Sequence, residues 1–182
     1  MSLANSTPTR MEGLFQLGFT VHSDERGSFK EAFRADHAQA AGLPVFPIVQ
    51  TNISTSHRGV IRGIHAEPWE KYITVAAGTV FAAIVDLRED SPTFGEHETF
   101  EMNPEQGLFV ARGFGNSFQA LSDQSVYLYH VADHWRPRLS YPAIAYNDPD
   151  LAIAWPIKDV VVSAKDQANP TMRTLYPQWS PS

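Results

Sequence analysis

The chain has no cysteine among its 182 residues. That excludes disulfides, thiolate nucleophiles and any zinc or iron site held by sulfur. It is also short of positive charge, with 14 Lys and Arg against 20 Asp and Glu and a formal net charge of −6. Nucleic-acid and anionic-membrane surfaces need clustered cations, so neither partner is expected. An anionic ligand would have to be met by a few Arg and Lys gathered locally by the fold. No apolar run approaches membrane-spanning length, and residues 1–10 lack the basic-then-apolar layout of a secretory leader. A soluble, cytoplasmic protein is the expectation that remains. Internal repeats, low-complexity tracts and linker-like stretches are missing too. Residues 13–182 are therefore expected to form one domain behind a flexible polar tail, residues 1–12.

What is there is ordinary for a globular core: 43% hydrophobic and 19% charged residues, in a chain long enough for one domain. Leu14–Val21 reads as an opening strand, followed by a turn at Asp24–Gly27. An Ala-rich stretch, Glu31–Ala41, stops at Gly42 and Pro44, the pattern of a short helix, and Val45–Thr51 resumes as a strand. Lys71–Ala77, Thr79–Leu87, His97–Met102, Gly107–Val110, Ser117–Leu121 and Ser125–Ala132 are short β-branched and aromatic runs divided by turn residues. Such spacing predicts an all-β sandwich or barrel with a few short helices. In the last run, alternation puts Tyr127, Tyr129 and Val131 on one face and Val126, Leu128 and His130 on the other. The Pro-, Asp- and Tyr-rich chain past Pro137 is expected to pack over the barrel.

The chemistry concentrates in Arg58–Lys71, RGVIRGIHAEPWEK. A histidine between a β-run and a polar bend is a general base, a metal ligand or a surface residue. For a metal, small β-barrels use two closely spaced histidines, a glutamate and a third histidine from a later hairpin. Here His65 is followed by Glu67 rather than His, and the later hairpin carries Asn116, a poor ligand for transition metals. Acid–base catalysis without metal needs a base, an acid across the substrate and a group to meet the developing negative charge. His65, Tyr129 or Tyr127, and Lys71 are the candidates. Arg26, Arg58, Arg62 and Lys71 are candidates for an anion, arginine being suited to bidentate phosphate contacts.

Several blocks in order resemble one family. They are DERGSF (Asp24–Phe29) with Glu31, QTN (Gln50–Asn52), RGVIRGIH (Arg58–His65) and VDLREDSPTFG (Val85–Gly95). LYHVADHW (Leu128–Trp135), NDPDLAIAWP (Asn147–Pro156) and SAKDQANP (Ser163–Pro170) follow. Together they resemble the dTDP-4-dehydrorhamnose 3,5-epimerases, metal-free cupins built as a double-stranded β-helix, or jelly-roll, barrel. The resemblance implies a nucleotide-diphosphate sugar substrate, a 4-keto-6-deoxy sugar inverted at C3, C5 or both, with no metal and no cofactor. It implies His65 as the base, Asp166 as its dyad partner, Tyr129 as the acid and Lys71 near the enolate oxygen. Arg26 and Arg62 would grip the diphosphate. Phe29, Glu31, Gln50, Asn52, Asn116, Trp135 and Lys165 would line the nucleotide and sugar pocket. It further implies a homodimer that exchanges N-terminal strands, letting Arg26 or Phe29 reach a partner's pocket.

Three positions depart from the family pattern. Asn116 stands where AHGF has histidine, His134-Trp135 where a Tyr-Tyr pair is usual, and Ser140 or Tyr141 where a glutamate is expected. These changes point to a different sugar or base, or to epimerisation at one carbon. A non-catalytic nucleotide-sugar-binding cupin and a metal-dependent cupin enzyme are the competing readings.

Overall fold

The computed structural model describes residues 3–136 and 140–181. In chain order the strands are β1 (Leu3–Pro8), β2 (Leu14–Phe19), β3 (His22–Asp24), β4 (Gly27–Phe29), β5 (Gln50–Ser56), β6 (Val60–His65) and β7 (Lys71–Ala77). Then come β8 (Val80–Asp86), β9 (His97–Met102), β10 (Gln106–Val110), β11 (Phe114–Ala120), β12 (Ser125–Val131) and β13 (Val161–Val162). Three short helices, α1 (Ala35–Ala40), α2 (Ala164–Gln167) and α3 (Met172–Leu175), lie outside the sheets. One sheet runs β1-β2-β10-β7-β12-β5, the other β13-β6-β11-β8-β9, and β3-β4 form a separate hairpin. All pairings are antiparallel except β13 on β6. The result is the expected jelly roll.

Period-two alternation explains why three apolar clusters form rather than one. On β8, Ala82 and Ile84 point into the barrel with Ile73, Val75, Phe114, Phe118 and Tyr127. Their neighbours Ala83 and Val85 point outward, where the C-terminal segment covers them with Ile144, Leu151, Ile153, Trp155 and Met172. That second layer is why β8 reads as an almost unbroken apolar run. The outer face of the six-stranded sheet is covered in turn by α1 and the chain after it, through Ala38 and Leu43 on Leu17, Tyr72 and Phe109.

Two of the sequence blocks prove to be staples. Asp86 is fully buried and accepts from Arg88 Nη2, Ser91 Oγ and Thr93 Oγ1, each at 2.6 Å, which closes the loop of VDLREDSPTFG. Buried Asp148 accepts the backbone N–H of Leu151 at 2.9 Å and of Met172 at 2.7 Å. It thereby ties NDPDL to the helix that ends beside the cleft.

Three expectations need correction. The loose tail is strand over Leu3–Pro8, paired with β2, while Met1 and Ser2 lie outside the described residues. Its outward residues are polar, as an edge strand held from one side allows. Val45–Val49 is not strand, and β5 starts only at Gln50. Pro44 and Pro47 remove ladder donors there, and Val45, Ile48 and Val49 stay exposed. The helix foreseen over Glu31–Ala41 is shorter, Ala35–Ala40: Arg34 holds extended backbone, with φ −141° and ψ 123°, so no helix runs through it from Glu31. Among the described residues no helix is long and apolar enough to cross a membrane.

Candidate active site

The site is built on a break in the alternation of β6. Ile61 and Ile64, three apart, both pack into the outer cluster, and the pairing of β6 with β11 shifts register between Asn116 and Phe118. Gly63 makes this possible. Its φ is +129°, and a Cβ placed on it would lie 2.3 Å from the Ser117 Cβ. In place of strict alternation, Arg62 and His65 line the same cavity.

His65 Nε2 is 2.7 Å from Asp166 Oδ1. Asp166 comes from α2, whose N-cap Ser163 accepts the Asp166 N–H at 3.0 Å, and the backbone N–H of Gly63 reaches the other carboxylate oxygen at 3.5 Å. Burial alone would raise the Asp166 carboxyl. The His65 hydrogen bond and charge, with the Gly63 and Ser163 contacts, more than offset this and hold it below the usual carboxylate range. With Nε2 engaged, Nδ1 is left without a hydrogen bond among the described residues and is the nitrogen able to take a proton.

Two cavities, of about 990 Å³ and 420 Å³, meet at His65 and Tyr129, which line both. Tyr129 stands on β12 opposite Asn52 on β5. Its phenol is pushed up to about 12, chiefly by burial, then by the negative charge of Glu67, with Arg62 pulling the other way. Next to it, fully buried Tyr127 donates its hydroxyl to Asn116 Oδ1 at 3.0 Å, and Asn116 lies in register with His65. That bond fixes the Asn116 amide so that its NH₂ is the end free to donate. Arg62 Nε donates to Ser56 Oγ at 3.0 Å at the wall of the smaller cavity.

The larger cavity carries Gln50, Asn52, Trp135, Ser140, Tyr141 and Lys165. Gln50 links them: its Nε2 donates to Asn52 Oδ1 at 2.7 Å and its Oε1 accepts the Trp135 N–H at 3.1 Å. Trp135 stays half exposed at the rim and Tyr141 packs edge-on against Trp69. The cleft is thus aromatic at its mouth and acid–base in its floor.

Lys71 lies elsewhere than expected. Its side chain is 1% exposed and ion-paired to Glu67 Oε2 at 3.1 Å, and it lines neither cavity, whereas Glu67 lines the larger one. Burial pushes the Glu67 carboxyl up, but the Lys71 charge and hydrogen bond together with the His65 charge more than offset this and keep it below its usual value. Sequence reasoning took up Glu67 only as a metal ligand. Its place two residues after His65 and four before Lys71 was the available signal. Tyr176 and Asn169, which also line the larger cavity, carried no signal of their own.

Arg26, Phe29 and Glu31 are not brought to this cleft within one chain. Arg26 pairs with Asp24 on the β3-β4 hairpin, Phe29 is 65% exposed, and Glu31 pairs with Arg34. The rest of the expected set, His65, Asp166, Tyr129, Arg62, Asn116, Gln50, Asn52, Trp135 and Lys165, converges on the two cavities.

A family model described as dTDP-4-dehydrorhamnose 3,5-epimerase matches residues 8–174. The chain is 36% identical over 167 residues to the dTDP-4-dehydrorhamnose 3,5-epimerase of Methanothermobacter thermautotrophicus, a match covering 87% of this chain and 89% of that one. It is 34% identical over 174 residues to the dTDP-4-dehydro-6-deoxyglucose 3-epimerase of Streptomyces bikiniensis, covering 92% and 88%. Among solved structures, RmlC from Streptococcus suis in complex with dTDP-D-xylose superposes with a TM-score of 0.88 at 36% identity, covering 100% of this chain and 95% of that one.

Proposed function

The chain belongs to the dTDP-4-dehydrorhamnose 3,5-epimerase family, and from that premise we propose how its own residues epimerise a dTDP-linked 4-keto-6-deoxy sugar. His65 Nδ1 takes the proton from a carbon beside the C4 ketone. Asp166, on the far ring nitrogen at 2.7 Å, holds the tautomer and steadies the imidazolium that forms. The electrons move onto the ketone oxygen as an enolate, which needs donors already in place. The Asn116 NH₂, oriented by Tyr127, is one such donor. Tyr129 then returns a proton from across the site, and return on the opposite face inverts the carbon. One proton leaves and one arrives, so the reaction is redox-neutral and calls for no electron carrier.

The observation that carries this reading is the convergence of the His65–Asp166 dyad and Tyr129 on one pair of joined cavities. Lys71 acts through Glu67 in this account, as its buried counter-ion. Arg62, on the smaller cavity, and Lys165, on the larger, are the cations that would meet the diphosphate, and Trp135 would offer a ring face at the mouth. Incubation with dTDP-4-dehydro-6-deoxyglucose and NMR of the products tests the reading: new C3 or C5 epimers are expected, and a folded protein that returns the sugar unchanged overturns it.

The reading includes a homodimer. All six residues of β3 and β4 are exposed, Phe29 and Arg26 among the most open side chains. Val45, Ile48, Val49 and Ile53 are also exposed, on β5 and the chain just before it, and β5 ends its sheet. A second copy of the chain, covering that edge and receiving the hairpin, would bury these side chains and complete its own cleft with Arg26, Phe29 and Glu31. Sedimentation at micromolar concentration should give a dimer; a stable monomer with full activity would contradict this part of the reading.

A further inference from the structure

Lys30 follows the hairpin directly and sits between Phe29 and Glu31, yet it turns back onto the outer face of its own six-stranded sheet. Its ammonium donates to Thr74 Oγ1 at 2.5 Å, to the Val75 carbonyl at 2.7 Å and to the Pro104 carbonyl at 2.6 Å. All three of its donors are thereby used. The same nitrogen lies 4.8 Å above the Phe19 ring. These partners come from β7, from the turn between β9 and β10, and from the end of β2, so one side chain gathers three separate elements. Among the described residues Lys30 has no ion pair, and the polar side-chain bonds of the hairpin, Arg26 to Asp24, stay within it.

We propose that Lys30 is a positioning residue: it clamps the base of the β3-β4 hairpin to its own barrel, so that Arg26 and Phe29 are presented at a fixed height to the cleft of a second copy. This rests on the exchanged-hairpin reading above and adds the element that sets its geometry. Burial draws the Lys30 ammonium down to about 8, so an uncharged side chain of similar length would burden the fold less. What the ammonium supplies is direction, through bonds that no apolar side chain makes. A hairpin free to swing would have to be ordered each time substrate binds, and that cost falls on binding rather than on proton transfer.

The test uses Lys30→Met, which keeps the aliphatic stem against Phe19, and Thr74→Val, which removes one acceptor. In the homodimers KM for the dTDP-keto-sugar should rise on the order of tenfold for Lys30→Met and less for Thr74→Val, with kcat within about twofold. Lys30→Met is then co-expressed with His65→Ala under two different tags and the mixed dimer isolated. Its live cleft belongs to the Lys30→Met chain but receives the intact hairpin of the other, so KM should return to the wild-type value. Arg26→Ala mixed with His65→Ala is the control for exchange itself. Recovery in the control without recovery for Lys30→Met overturns the Lys30 role and leaves the exchange standing. No recovery in either mixed dimer overturns the exchanged hairpin, and the Lys30 role with it. Homodimers of both Lys30→Met and Thr74→Val with wild-type KM also overturn the role. If Lys30→Met does not fold, Thr74→Val carries the same mixed-dimer comparison.

Discussion

Replacing Asp166 by Asn isolates the charge of the dyad from its shape. The side chain is 6% exposed and bonded to His65 Nε2 at 2.7 Å, so the amide occupies the same volume and its oxygen remains able to accept. What disappears is the negative charge that answers the imidazolium. A hydrogen bond to a charged group contributes about 1.5–3 kcal/mol, which converts to a loss of roughly ten- to hundredfold in the proton-transfer rate. An amide turned the other way would donate to Nε2, load Nδ1 with a proton and deepen the loss. The term acts on the intermediate, so kcat should fall and KM should hold. Steady-state kinetics on the dTDP-keto-sugar reads both. A kcat within about threefold of wild type, or a raised KM with kcat intact, would refute a proton-transfer role for Asp166. The same carboxyl bears on stability: it is held below its unfolded value, so its contribution is present above that value and lost as pH falls through the folded one. Asp166→Asn should therefore flatten the acid side of the wild-type stability curve.

The Tyr129 phenol, raised to about 12 by burial and by Glu67, keeps its proton as pH climbs, so kcat should show no alkaline fall from this group near pH 9. Tyr129→Phe should cut net inversion more than proton removal, as NMR of exchange against epimer yield would reveal; equal effects on both would assign the acid elsewhere. Glu67→Gln leaves the 1%-exposed Lys71 without its counter-ion and should destabilise the fold by about 3–5 kcal/mol in urea, while moving any alkaline fall of kcat to lower pH. Gly63→Ala drives a Cβ to 2.3 Å from the Ser117 Cβ at a φ of +129°. A loss of about 3 kcal/mol or more is expected, and unchanged melting would contradict the packing described at β6.

Turn residues and β-branched runs made most of the barrel legible. Lys71–Ala77 and His97–Met102 are strands over the very residues read from the sequence. The first strand was illegible because LANSTP is a polar edge, held by β2 alone and without an apolar face to alternate. Val45–Val49 misled in the other direction, since a β-branched run looks the same whether it is paired or bare. At the site, RGVIRGIH marked His65 by its chemistry, but Asp166 stands 101 positions away in a four-residue helix. Only the resemblance joined the two. The resemblance assigned Lys71 to the enolate from its place just after the histidine loop. Spacing carries no sign of direction, and the chain turns the ammonium behind Glu67. The bend of β6 at Gly63, which puts Arg62 and His65 on one cavity, depends on contact with β11, and the glycine alone marked it in the local sequence.

Solvent-deuterium incorporation into dTDP-4-dehydro-6-deoxyglucose tests the central claim most directly, because it observes proton removal whatever the final product. Wild-type protein in D₂O should place deuterium at C3, at C5 or at both, and the pattern counts the carbons epimerised. His65→Ala, folded and dimeric, should place none. Wild-type protein that exchanges neither position, or His65→Ala that exchanges at the wild-type rate, would contradict His65 as the base.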